Sequence, residues 1–249
     1  MKPWKIVVAF LLVVAAFSVP SIVSRFSKPP APTVEGIAAE AEKSGLTIFK
    51  ALQEALPAES EKFMSGYLAL AKEGRSAQET AAFIGKNLAD IRRRHADALR
   101  KADPALVLTA LQAKRDMLEL VKANETPQDC GGWIVADTMT PAMQAKGATY
   151  ALPADRFAAA AIRAMGAGEK SPVDIGAATA DDWQAIATQY VAGGGALTDL
   201  QGLAAAGPQD PRACEMNQKL LKVLADAPGV SGQRIRAETV RVFVLAGSS

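Results

Sequence analysis

The sequence predicts an all-α protein: a single N-terminal transmembrane signal anchor, an antiparallel helical bundle, and a second helical part packed on it. Three observations lead there. Residues 6–23 form an apolar run without a charge, flanked by Lys2 and Lys5 on one side and Arg25 and Lys28 on the other. From Thr33 onward apolar residues return at spacings of three, four or seven, while β-branched runs alternating with period two are nearly absent. Capping and turn signals then cut this pattern into pieces of helix length.

The N-terminal run of 18 residues extends ~27 Å as a helix, close to the thickness of a bilayer's hydrocarbon core. A signal anchor at 1–28 is the first reading. A cleavable signal peptide is the second, since Val19-Pro20-Ser21 offers small residues for a peptidase, and a buried core helix is the third. Length and the positive charges that follow favour retention. Lys2 and Lys5 with the α-amino group favour a cytoplasmic N-terminus. The rest of the chain is then expected in the periplasm or extracellular space, or secreted if the segment is cleaved. Residues 29–33 continue a proline-rich stretch that favours extended polyproline II, a short stiff linker.

Residues 34–124 read as the bundle. Val34, Ile37, Ala41, Ile48, Leu52 and Leu56 make one helical stripe, ended by Pro57; Phe63, Met64, Tyr67 and Leu68 make the next, before Gly74. Ser76 and Glu79 form a capping box for a helix expected to reach about Lys101. Asp103-Pro104 starts a fourth helix, with aspartate as N-cap and proline in the first turn. Residues 125–249 read as a second, glycine-rich helical part. Short turns pinned by Trp133, Met139, Met143 and Tyr150 are expected up to residue 152, with regular helix resuming after Pro153. Thr179 opens a helix through Trp183, Ile186 and Tyr190 that Gly193-Gly194-Gly195 breaks. Asp210-Pro211 repeats the Asp-Pro start. Residues 239–245 read as the end of a last helix or, alternatively, as a strand.

The whole chain has 28 basic and 26 acidic residues, a net charge of +2. Lys2, Lys5, Arg25 and Lys28 account for more than this excess, so the body after them is slightly acidic. A nucleic-acid partner would call for a basic stripe and a clearly positive domain, and none is expected. One histidine and two cysteines exclude a His/Cys metal cage of ordinary ligand count, and no cofactor motif is present. Cys130 and Cys214, each beside a turn signal, are expected to form a disulfide in an oxidising compartment, with two separate buried thiols as the alternative.

His95 falls on or beside the apolar stripe of its helix. It reads as a general base or pH switch, or more simply as a partly buried histidine bonded to a polar neighbour. Arg92, Arg93 and Arg94, with Arg100 and Lys101 further on, read as a solvated face or a partner contact, with binding of phosphates or acidic lipid headgroups as the alternative. Gly193-Gly194-Gly195 lacks the Lys-Ser/Thr ending of a phosphate loop. Glu59-Ser60 is similar to the Glu-Ser dipeptide that carries the catalytic acid of soluble lytic transglycosylases, an all-α family. The Gly-Leu-Met-Gln stretch typical of that family does not follow, Glu59 reads as lying at a solvated helix start, and the activity is not carried over.

The function expected from these features is non-enzymatic. The chain reads as an accessory or scaffolding subunit that contacts another envelope or membrane protein, held to the membrane through residues 6–23. A cell-envelope-acting enzyme and a helical module for a small ligand or lipid are the alternatives.

Overall fold

The computed structural model describes residues 33–136, 139–205, 207 and 210–246. The anchor and most of the linker lie outside the described residues. Among the described residues there are twelve α-helices and one 3-10 helix, with no strand. They are α1 (Val34–Lys43), α2 (Ile48–Ala55), α3 (Pro57–Lys72), α4 (Ala77–His95), the 3-10 helix Ala96–Lys101, and α5 (Pro104–Asn124). After them come α6 (Pro127–Ala136), α7 (Pro141–Ala145), α8 (Gly147–Lys170), α9 (Ala180–Ala192), α10 (Leu197–Ala205), α11 (Ala213–Asp226) and α12 (Gly229–Ala246).

Helix α8 is the centre. It packs on α5, α2 and the 3-10 helix, and its residues Ala159, Ala160, Ala161, Ala164, Gly166 and Gly168 are buried. Small side chains there set how closely the helices approach. A Cβ on Gly166 would stand 2.6 Å from the Ala55 Cβ, and one on Gly168 would stand 2.0 Å from the Ala98 carbonyl oxygen. Around this axis one core gathers Leu52, Leu99, Leu111, Leu118, Met165, Leu221 and Val240. A smaller cluster joins Ile37, Phe63, Met64 and Tyr67, with the rings of Phe49 and Phe83 centred 6.0 and 5.9 Å from that of Phe63.

Local sequence signals place several of these ends. Ser76 and Glu79 close a reciprocal capping box at α4, and Asp103 accepts from the Ala105 amide at α5, each satisfying amides that a helix start leaves open. Helix α9 ends before Gly194, whose φ of 86° lies in the region only glycine enters freely. Elsewhere the structure differs from the expectation. The first stripe is two helices, because Gly45 at φ 81° turns the chain and the Leu46 amide closes onto the Ala41 carbonyl. The helix expected to resume after Pro153 starts at Gly147 and carries that proline inside it. Asp210 does not cap α11; it accepts from the Arg212 amide in a turn, and the helix starts at Ala213. The strand alternative for 239–245 is overturned: these residues continue α12, with Val240, Phe243 and Val244 buried at helical spacing.

Helix α9 starts with a capping box between Thr179 and Asp182. A hydrogen bond from Ser231, then the Thr179 amide, hold the Asp182 carboxyl at about 2, below its ordinary 3.8. The folded state thus binds the proton less readily than the unfolded chain, and the carboxylate's stabilisation is complete above the ordinary value and lost as pH falls towards the lowered one. The difference in melting temperature between wild type and Asp182→Asn is therefore expected to close between about pH 4 and about pH 2. Thermal melts of both proteins across that range check this; a constant difference would contradict it.

Candidate functional site

Charged side chains concentrate where α3, α4, the 3-10 helix and α8 meet. Glu59 lies in the first turn of α3, and Arg92, Arg93, Arg94 and His95 form the last turn of α4, where cations complement the helix dipole. Arg94 grips Glu59 with two bonds, Nε to Oε1 at 3.0 Å and Nη2 to Oε2 at 2.7 Å. His95 Nε2 is 3.1 Å from the same Glu59 Oε1, and His95 Nδ1 is 2.5 Å from Glu169 Oε1 near the end of α8. The imidazole thus bridges two carboxylates from helices far apart in sequence. Its side chain is 14% exposed and that of Glu59 19%, which corrects the expectation of a solvated Glu59. Burial pushes the Glu59 carboxyl up, but the bonds from Arg94 and His95 outweigh this and hold it below the ordinary range.

The three sequential arginines have different surroundings. Arg93 is exposed and paired with Asp90, Arg94 is paired with Glu59, and Arg92 is half-buried. A second charged group lies one turn on. Arg100 Nε is 2.8 Å from Glu238 Oε2, Arg241 Nη2 is 2.6 Å from Glu238 Oε1, and Asp97 stands 3.4 Å from Arg100 and 3.5 Å from Arg241. Bonding from Arg241, against burial and with help from Arg100, lowers the Glu238 carboxyl. Between the two groups an open groove of about 500 Å³ is lined by Asp97, Arg100, Lys101, Glu169 and Pro172, with Gly168 behind. A second groove of about 470 Å³ lies between α1, α2 and α3, where Val34, Phe49 and Met64 stand with Glu35 and Glu61.

Three buried charges escaped the sequence reading. Lys114 is 1% exposed, and its Nζ lies 4.2 Å from the ring centre of Trp133, 5.1 Å from that of Phe243 and 5.2 Å from that of Phe157. Three π-faces around one ammonium are a favourable electrostatic setting for it. Asp155 and Arg236 each cap a helix other than their own. Asp155 accepts from the Thr47 amide, the Thr47 hydroxyl and the Ile48 amide at the start of α2. Arg236 donates to the Leu224 and Ala227 carbonyls at the end of α11, and burial lowers its guanidinium below the ordinary value.

Cys130 and Cys214 form the disulfide, with their Cα atoms 5.5 Å apart, joining α6 to α11. The bridge needs a close approach at the neighbouring residue: a Cβ on Gly131 would stand 2.5 Å from the Asp210 carbonyl oxygen. Among the described residues no group of three or more histidine, cysteine, aspartate or glutamate side chains is arranged to hold a metal ion, and no helix is long and apolar enough to cross a membrane.

Chemically, the α3–α4–α8 cluster holds charge in place. Every carboxyl group with a displaced titration among the described residues (Glu59, Glu79, Asp182, Asp210 and Glu238) is displaced downward. Searches against protein-family models, curated proteins and solved structures give no match for this chain.

Proposed function

We propose that this chain is a non-enzymatic accessory or scaffolding subunit of an envelope protein complex. It is tethered to the plasma membrane through residues 6–23, with its helical body in the periplasm or extracellular space; cleavage of that segment would release the body as a secreted protein. In this reading residues 34–124 act as an antiparallel bundle and residues 125–249 as a second helical part stacked on it. The partner is another envelope or membrane protein, and Arg92, Arg93 and Arg94 offer it a charged contact.

The observation that supports it best is a set of large apolar side chains left outside the core. Trp183 and Val191 lie eight residues apart on one face of α9, with Leu197 at the start of α10, and they are 44%, 47% and 53% exposed. Exposed aromatic side chains such as that of Trp183 carry much of the binding energy where they enter a protein interface. The disulfide supports an oxidising compartment.

The test is isolation of the full chain from native membranes in mild detergent, with mass spectrometry of what accompanies it. A stoichiometric complex is expected, and Trp183→Asp, with its side chain outside the core, should reduce recovery of the partner about tenfold or more. Recovery alone, at monomer mass, would overturn the proposal. The same spectra show whether residues 1–24 are retained.

A further inference from the structure

A neutral imidazole has one N–H and one bare nitrogen, whereas an imidazolium has two donors. In this protein both ring nitrogens of His95 face a carboxylate: Nε2 faces Glu59 at 3.1 Å and Nδ1 faces Glu169 at 2.5 Å. A carboxylate only accepts. With Glu59 and Glu169 ionised, the two contacts can therefore be hydrogen bonds together only while the ring carries both protons. Loss of one proton sets a nitrogen lone pair against a carboxylate oxygen.

We propose that His95 is a proton-dependent latch, which when protonated fastens the end of α4 to both α3 and α8, and which releases one of them when the ring becomes neutral. Glu169 is the member with freedom to leave. Its side chain is 43% exposed, it lines the groove beside Asp97, Arg100 and Lys101, and among the described residues its hydrogen bond is to His95. Glu59 is also held by Arg94 through two bonds and stays in place. The polypeptide changes from α-helix to 3-10 helix immediately after His95, so the latch sits at a joint between two helical geometries. Other charges nearby are engaged elsewhere. Arg93 pairs with Asp90 on α4 itself, and α12, which also packs on α4, directs Glu238 and Arg241 to Arg100 and Asp97. Release of Glu169 leaves the groove with a carboxylate that is free to turn towards Lys101 or a ligand.

His95 is the only histidine in the chain, so its ring signals in a nuclear magnetic resonance spectrum need no assignment by mutation. The full chain, uniformly ¹⁵N-labelled in neutral detergent, is titrated from about pH 5 to about pH 8.5, across the range in which histidines lose their charge. Both ring nitrogens are expected to carry protons at the acid end, and loss of one is expected to move the Glu169 amide signal while the Glu59 signal changes less. In parallel thermal melts, wild type should lose about 2–4 °C more than His95→Gln over the same range. Glu169→Gln should flatten the pH dependence equally, and it serves as the test if the His95 variant does not fold. A ring that titrates with no response at Glu169, or a wild type whose melting follows the same pH course as Glu169→Gln, would overturn the latch.

Discussion

Reduction of the Cys130–Cys214 bridge is expected to lower the melting temperature by on the order of 10 °C. The cysteines are 84 residues apart, and closing a loop of that length removes chain entropy worth about 4.5 kcal/mol from the unfolded state. For a body of this size each kcal/mol moves the melting temperature by roughly 2–4 °C. Both cysteines are buried, so the bridge adds this constraint inside an interior already formed by Trp133, Ala213 and Leu221. Calorimetry with and without reductant, and of the Cys130→Ala/Cys214→Ala double variant, checks it. Identical melts in the oxidised and reduced states would show that the bridge adds nothing.

Asp155→Ala is expected to destabilise the protein by roughly 3 kcal/mol, since a charged acceptor is worth about 1.5–3 kcal/mol per bond and the amides it serves lose their partner. Thr47, the residue before α2, makes no capping bond to its own helix. The carboxylate of Asp155, 108 residues away, does that work with contacts of 2.7, 2.9 and 3.0 Å. Its negative charge also opposes the positive end of the helix dipole. Asp155→Asn keeps one acceptor oxygen and should lose about half as much. Urea unfolding read at the midpoint with an unchanged slope measures both. An alanine variant within about 0.5 kcal/mol of wild type would refute the role of this cap.

The contrast between these contacts and the local caps explains what could be read in advance. Ser76 with Glu79, Thr179 with Asp182, and Asp103 with Pro104 act within three or four residues, so their chemistry is visible in sequence order. The cysteine pair was legible because there are only two and both adjoin turns. The all-helical class followed from periodicity carried by many residues at once. Asp155, Arg236 and the Glu59–His95–Glu169 bridge have no such signature. Each joins side chains whose proximity depends on how α2, α3, α8 and α11 pack, and a lone Asp or Arg in a helix looks the same whether it faces solvent or another helix end. Lys114 was within reach. It falls in the series 107, 110, 111, 114, 117, 118 and 121, whose other members are all buried, so periodicity alone places a lysine among core positions. Gly45 was similarly available as a helix stop, but the apolar stripe continued across it and masked the turn.

The central place of α8 has a consequence for the order in which the protein can be made. Its partners α2 and α5 leave the ribosome well before it does, because α2 is complete at Ala55 and α8 only at Lys170. At about 5–20 residues per second, the apolar face of α2 waits on the order of ten seconds, and that of α5 a few seconds, for the helix that covers them. Helix α2 also waits for its cap, because Asp155 arrives with α8. An emerging chain of this design needs protection over that interval, so its yield in a cell should depend on chaperones that hold extended polypeptide far more than its equilibrium stability would suggest.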